Sequence, residues 1–402
     1  MNKVGLDYFT FGDHEFDIYS GEQHLARLAE TEFPMISSNV FAAENTPFNG
    51  VKVNDIFTVT NATGEAIRVG IFGITEAIPR SAVPISYTNP MTAAMQQVAF
   101  LRPQVDILIA MTHFGVSTDQ DLAKRFPQID LILGGDDHEH MKVETEAGLA
   151  PIFKSDSNVR AVQILDLYYD KSLGALQIED RLQSITDAIA DDPEVKAEVD
   201  KWVNLAFDGF RAEGIEPTEL LAVPTVDLDG FANSIRNGPT ALTKLMVNGI
   251  HDTATNPELS LMFSALIRLD DLIPAGSNFT MYDVIRTFPN NFAIVTVDVP
   301  GAALKGILDF GEASAGSGQY ILRTENVTKD TDGNWLIDGQ PLDTTRTYRA
   351  GTTNEAAAGF ANFGVTIVET HEMDLQKLLV QQLAVTFPGA TDSKSFLPIV
   401  QK

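Results

Sequence analysis

The sequence contains no cysteine. Disulfides, zinc–thiolate centres and cysteine nucleophiles are therefore excluded. Any metal must be held by His, Asp, Glu or Asn, a donor set that suits borderline or hard ions such as zinc or manganese. No apolar run approaches the roughly 18 residues that a membrane-spanning helix needs. Basic residues are scarce: 28 Lys and Arg stand against 55 Asp and Glu, a net charge of −27. Such a chain is a poor partner for a nucleic-acid polymer or an anionic membrane, because phosphate neutralisation needs a basic face. A single nucleotide is still admissible where a metal and a few arginines override the field locally. The opening residues, MNKVGLDYFTFG, show neither an apolar h-region nor a small-residue cleavage site, so no signal peptide is visible there. Nothing in the sequence fixes an oligomeric state.

What is present suffices for two domains. A length of 402 residues exceeds one ordinary core, and 44% hydrophobic with 21% charged residues is a globular composition. Apolar strand-like runs recur at 33–40, 67–75, 105–115 and 129–140, with helical stretches over 91–101 and 118–126. Continuous apolar strands alternating with helices predict a sheet covered on both faces, hence an α/β layered domain over 1–185. Near 191 the texture changes. Asp192 is placed to cap a helix with Pro193 at its first position, and Val195, Val199, Trp202, Val203 and Phe207 recur at spacings of three and four. This reads as an amphipathic connecting helix within 186–215. A second unit of α/β or α+β type follows over 216–402, with helices over 239–250 and 300–311, a strand at 292–299 and hairpin turns at Asp332-Gly333 and Asp338-Gly339.

Four of the seven histidines, His14, His113, His138 and His140, fall in loops just after apolar strands and beside glycine or acids. Ligand sites in α/β sheets lie at strand carboxyl ends. A dinuclear phosphoesterase gathers carboxylates and imidazoles around two cations, and a separate histidine protonates the leaving group when an acid fixes its tautomer. His14 and Asp17, both after the first strand, suit that last pairing. Glu15 reads as a solvent-facing neighbour.

The motifs resemble a known family. GDHEFD at 12–17 looks like the GNHEFD signature of calcineurin-like metallophosphoesterases, MTHFG at 111–115 like their single-histidine strand end, and GGDDHEH at 134–140 like their closing G-H-x-H motif. In the second half, SIRNGPTALTKL, FSALIRLDD, YDVIRTFPNN and YRAGTTNEAAAG occur in the order of the blocks of a 5′-nucleotidase C-terminal domain. The chain thus resembles the 5′-nucleotidase/2′,3′-cyclic-nucleotide phosphodiesterase family along nearly all its length. The resemblance implies a four-layer metallophosphoesterase sandwich joined by a helix to an α+β substrate-binding domain. It implies divalent metal ions, manganese or zinc, and a small phosphate ester or nucleotide as substrate. It also implies export to the periplasm or cell surface. Carried over by position, His14 is the catalytic histidine and Asp17 its partner. Asp13, His113, Asp136 and His138 are metal ligands, with a shifted register through His138 and His140 left open. Arg236 and Arg268 bind the substrate's oxyanion, for which guanidinium forks are suited.

The departures shape the expectation. Asp13 stands where the family has asparagine, and Asp136 where it has histidine. The family's D-x-H strand and bridging G-D turn do not precede GDHEFD in these residues, so the chain reads as N-terminally truncated. It is expected to hold at most one of the family's two cations and to be inactive alone. The two aromatic platforms that stack a base fall at Asn290 and Ala356, and the neighbouring Phe360 and Phe292 read as packing residues. The leading reading is a phosphoric ester hydrolase of the 5′-nucleotidase type. The alternatives are a non-catalytic binding homologue and a phosphoesterase with a non-nucleoside substrate.

Overall fold

A computed structural model describes residues 1–16, 20–44, 46–61, 64–76 and 84–388. The chain divides into two units, Met1–Asp200 and Lys201–Lys402.

The first unit opens with short strands β1 (Phe9–Thr10), β2 (Met35–Ile36) and β3 (Val51–Lys52), which pair in parallel. Helix α1 (Gly21–Ala29) starts on a capping box from Ser20 and Gln23. The main sheet contains β4 (Asn54–Thr60), β5 (Ala66–Thr75), β6 (Ile107–His113), β7 (Leu131–Gly134), β8 (Met141–Val143) and β9 (Ile152–Lys154) in the order β8-β9-β7-β6-β5-β4. Its four inner strands are parallel and its two edges antiparallel. Alternate residues serve opposite faces, as the pleat requires. Phe72, Ile74, Leu108 and Ala110 pack against Ala94, Val98 and Leu101 of α2 (Pro90–Leu101) and Leu122 of α3 (Val116–Arg125). Ile71, Ile107, Ile109 and Leu131 face the other way, toward Ile36 and Leu165. A long hairpin, β10 (Ala161–Asp170) with β11 (Ala175–Ser184), lies on that side.

The predicted strand over 33–40 is interrupted. Only Met35–Ile36 and Val40–Phe41 are extended. Ser37, Ser38 and Asn39 between them are buried because their side chains bond backbone. Asn39 Nδ2 donates to Thr75 O at 2.7 Å and its Oδ1 accepts from Thr75 N at 3.0 Å. The polar S-S-N insert therefore ends the strand by tying it to the end of β5.

Helix α4 (Pro193–Ala212) begins where expected, with Asp192 Oδ1 accepting from Glu194 and Val195 N–H groups. None of its residues is buried, and Val199, Trp202 and Val203 of the predicted apolar stripe are exposed.

The second unit is built on a mixed sheet of β12 (Leu259–Phe263), β13 (Ala293–Pro300), β14 (Ile321–Arg323), β15 (Thr347–Thr353) and β16 (Thr366–Asp374), in the order β14-β12-β15-β13-β16. Helices α5 (Ala232–Ile235), α6 (Ala241–Thr253), α7 (Met281–Thr287), α8 (Gly301–Ala313), α9 (Asn354–Phe360) and α10 (Leu375–Thr386) surround it. Val295, Val297 and Val299 join a core with Leu304 and Ile307 of α8 and Ala357 of α9. Ile294 and Met262 join the opposite core with Met246 of α6 and Leu379 of α10. The predicted turns are present: antiparallel Val327–Lys329, Trp335–Ile337 and Gln340–Pro341 form a three-stranded hairpin sheet.

Gly73 of β5 lets the opening strand seat on the sheet. A Cβ there would lie 2.7 Å from Ile36 O and closer still to Thr10 Oγ1. Gly73→Ala is expected to destabilise the protein by about 1–3 kcal/mol, the range for overpacking a core, measured by urea denaturation. A change within the roughly 0.5 kcal/mol typical of surface substitutions would show that β1 is not held against this glycine.

Candidate metal and catalytic site

The loop after β1 is anchored by its aromatic residues. Phe11 and Phe16 are buried, with ring centroids 5.0 Å apart, beside Phe48 and His24. Asp13 to Glu15 between them are partly or fully exposed, while Gly12 stays buried. Glu15 Oε2 accepts from Gly12 N at 2.8 Å and closes the turn, so the residue read as a solvent-facing neighbour has a local structural task. A Cβ on Gly12 would stand 2.9 Å from His113 Cε1. The glycine of the motif is what allows the imidazole to lie against this loop.

Parallel strands deliver the other groups to the same edge. Thr75 ends β5 directly opposite His113 at the end of β6. Thr75 Oγ1 donates to Phe11 O at 2.7 Å, joining the first loop to the strand ends. There Asp13 Oδ1 lies 3.3 Å from His113 Nε2, and Asp136 Oδ1 lies 3.6 Å from the same nitrogen. Glu76, which follows β5, belongs to this cluster too. Its pKa is pushed up to about 6, by burial first and then by the charges of Asp136 and Asp13. Asp13 is pulled down to about 2, chiefly by its hydrogen bond with His113, against burial. Burial works to lower the His113 pKa, but the Asp13 hydrogen bond and the charges of Asp136 and Asp13 outweigh it and raise the value.

Asp136 and His138 both adopt left-handed backbone, with φ of 75° and 60°. Asp and His are among the few non-glycine types that tolerate this region, at some cost. The loop is held from beneath by Lys154. Its ammonium, 1% exposed, donates to Gly135 O at 2.9 Å, to Phe114 O and to Asp137, and pairs with fully buried Asp119 at 2.9 Å. Asp137 Oδ1 also accepts from Val116 N at 3.2 Å. Burial pushes the Asp119 carboxyl up, against the pull of Lys154.

The structure therefore brings Asp13, His113 and Asp136 together. His138 sits two residues along the same loop. His140 is directed elsewhere, its Nε2 3.0 Å from Gln163 Oε1. His14 is about half exposed, with Nε2 3.9 Å from Asp13 Oδ2. Its expected partner Asp17 lies outside the described residues. Sequence reasoning missed Glu76, Lys154 and Asp119. An acid immediately after the apolar strand IRVGIFGIT was the available signal for Glu76. The lone lysine in PIFKS and the helical Asp119 carried none.

The cluster is strongly acidic: Asp13 and Asp136 flank the His113 imidazole, and Glu76 beside them has its pKa raised by burial first and by their charges second. Among the described residues, no group of three or more His, Asp or Glu side chains is placed so as to hold a metal ion.

In the second unit, Arg236 caps α5 at its C-terminus and Arg268 donates its backbone N–H to Thr287 O at 2.8 Å. Ala356 is buried and Asn290 exposed, so neither offers a ring. Phe292 packs against a core, as expected. Phe360 corrects the expectation: besides packing, it lines a cavity with Phe263, their centroids 5.1 Å apart.

Comparison with known proteins agrees with this geometry. Residues 222–367 match the family model of the 5′-nucleotidase C-terminal domain. The second unit carries a 5′-nucleotidase C-terminal domain. Over 93% of its length the chain is 24% identical to the trifunctional nucleotide phosphoesterase protein YfkN of Bacillus subtilis, of which it covers 29%. Over 59% of its length it is 27% identical to the 5′-nucleotidase of Bos taurus, covering 44% of that protein. The chain thus spans less than half the length of these curated relatives. Two solved structures share its fold at a TM-score of 0.72. The 5′-nucleotidase precursor of Thermus thermophilus, 19% identical, matches over 95% of this chain and 81% of its own. The sulfate thiohydrolase SoxB of the same organism, solved with glycerol and 16% identical, matches over 96% and 71%. The α/β architecture of a metallophosphoesterase domain followed by a 5′-nucleotidase C-terminal domain, read from the motifs, is borne out.

Lys154→Met is expected to cost about 3–5 kcal/mol, the penalty for stranding a buried charge, read from denaturant unfolding. Lys154→Met combined with Asp119→Leu should recover most of that loss. If the single and double variants are equally unstable, the lysine acts through its carbonyl contacts and not through Asp119.

Proposed function

We propose that the protein is a metal-dependent phosphoric ester hydrolase of the 5′-nucleotidase type, acting on a phosphomonoester or cyclic phosphodiester. The observation that carries this reading is the convergence of Asp13, His113 and Asp136 at the ends of separate strands, around a strongly negative centre. The names of the sequence relatives support phosphoester chemistry and point to nucleotides among the esters.

Asp13, His113 and Asp136, with His138 from the same loop, would hold a divalent cation, for which manganese and zinc suit the mixed nitrogen and oxygen donors. Such an ion supplies charge neutralisation for phosphoryl oxygens and a hydroxide near neutral pH. The protein's own groups do the rest. Gly12 and the Phe11–Phe16 pair fix the loop that presents Asp13 and His14. Lys154 fixes the loop that presents Asp136. His14, about half exposed beside Asp13, would give its proton to the departing alkoxide. Asp17 would set its tautomer. Arg236 and Arg268 would bind a substrate oxyanion. One structural relative is named a precursor, and we read this protein too as exported. Among the described residues no helix is long and apolar enough to cross a membrane.

These residues supply one set of ligands, so at most one cation per chain is expected, and the 402 residues alone are expected to be inactive. Manganese titration of the metal-stripped chain, by calorimetry and elemental analysis, tests this. One equivalent should bind, and Asp136→Asn with His113→Gln should weaken it at least tenfold. No stoichiometric binding would favour the non-catalytic reading. Vigorous hydrolysis of p-nitrophenyl phosphate by this chain would keep the phosphoesterase reading and overturn the single-cation limit.

A further inference from the structure

The second unit contains a cavity of about 710 Å³ between the end of β12, helix α8 and helix α9. This is within the roughly 300–1,000 Å³ range of small-molecule sites. Four phenylalanines line it: Phe263, Phe310, Phe360 and Phe363. Phe263 and Phe360 pack at 40° to each other, and Phe310 and Phe363 are 45% and 62% exposed. Large aromatic side chains left open to solvent around a concavity mark a surface that something apolar covers. The lining has only two polar side chains, Gln319 and Glu355, and no cationic one.

A second observation is independent of the rings. Gly306 lies inside α8 and Gly359 inside α9, and both line the cavity. Glycine within a helix is less favourable than alanine by about 0.8–1 kcal/mol. Close packing explains many such glycines, but not these. A Cβ on Gly306 would meet nothing within 4 Å, and one on Gly359 would meet only the Phe263 ring, at 4.0 Å. Helix α8 forgoes stability at Gly306, and near its end α9 carries Gly359, both at positions that line the cavity. What the glycines preserve is the space itself.

We propose that this cavity binds a neutral, largely hydrocarbon aromatic group of one or two fused rings. Ring faces and edges from four phenylalanines suit offset and edge-to-face contact with such a group. A purine suits it less. Its ring nitrogens and exocyclic groups would each cost about 1–3 kcal/mol if buried unpaired, and two polar side chains are too few to serve them. An anionic group is disfavoured by the acid in the lining and the absence of a cation there. As the organic part of a phosphoester substrate, the aromatic group rests on the phosphoesterase reading. As a binding site, the cavity does not.

The test is calorimetric titration of the metal-free 402-residue chain with 2-naphthol and with adenosine. One equivalent of 2-naphthol should bind, at least tenfold more tightly than adenosine. Gly306→Leu fills the cavity while improving helix propensity, so it should lower naphthol affinity at least tenfold without lowering Tm. Phe360→Ala should weaken binding in the same direction. Adenosine binding as tightly as naphthol, or naphthol binding that Gly306→Leu leaves unchanged, would overturn the proposal. Hydrolysis of 2-naphthyl phosphate by the metal-loaded chain bears on the phosphoesterase reading alone. Naphthol binding blocked by Gly306→Leu supports the site whether or not that ester is cleaved.

Discussion

Asp13 and Asp136 both lie against the His113 imidazole, with Glu76 close enough to feel their charge, and this crowding of acids is the constraint on which the first unit turns. Two unit charges 4 Å apart near a protein surface interact by about 4 kcal/mol at an effective dielectric of 20. Three carboxylates in an already acidic chain meet that repulsion in different ways. Asp13 stays ionised against His113, His113 is held toward its charged form, and Glu76 takes a raised pKa, from burial first and from the charges of Asp136 and Asp13 second. The parallel sheet makes the crowding unavoidable. Strands running the same way end at the same edge, so residues 76, 113 and 136 arrive together, and the seating of β1 on Gly73 adds residue 13.

The second unit solves a different problem with the same architecture. Its sheet also has two buried faces, yet one of them is left incomplete where α8 and α9 approach the end of β12. The cavity there is nearly devoid of charge. The two units thus divide two kinds of chemistry: a dense electrostatic centre in one, and dispersion and ring contacts in the other.

Much of this was legible in the sequence where a local pattern dictated it. FGDHEFD, THFG and GGDDHEH announced the site because glycines and a histidine after an apolar strand need no tertiary information to be noticed. The strand at 33–40 misled because apolar residues flank S-S-N, and only the bond from Asn39 to Thr75 reveals a buried polar turn. Glu76 and Lys154 were invisible for the same reason. A single acid or lysine has no periodicity: the meaning of Glu76 comes from His113, Asp136 and Asp13, which are 37, 60 and 63 residues away, and that of Lys154 from Asp119 and Asp137. Phe360 read as packing because it ends helix α9 while its partner Phe263 lies on β12, far off in the sequence.

The departures from the family pattern bear on whether the first unit is a relic. A site that has lost its purpose drifts toward neutral, cheaply solvated residues. Here the substitutions run the other way. Asp13 adds a charge where the resemblance implies an amide, and Asp136 places a carboxylate where it implies an imidazole. Asp137 beside it adds another, and a fully buried ammonium lies beneath that loop to meet it. Burying Lys154 and Asp119 carries a desolvation penalty of several kcal/mol per ion before their attraction offsets it. A well-packed apolar pair would serve stability at least as well. What an apolar pair would not do is grip the carbonyls of Phe114 and Gly135 and the carboxylate of Asp137 at once, holding Asp136 and His138 in left-handed backbone beside His113. The charge network thus fixes the loop that sets Asp136 beside His113, which an apolar pair could not do.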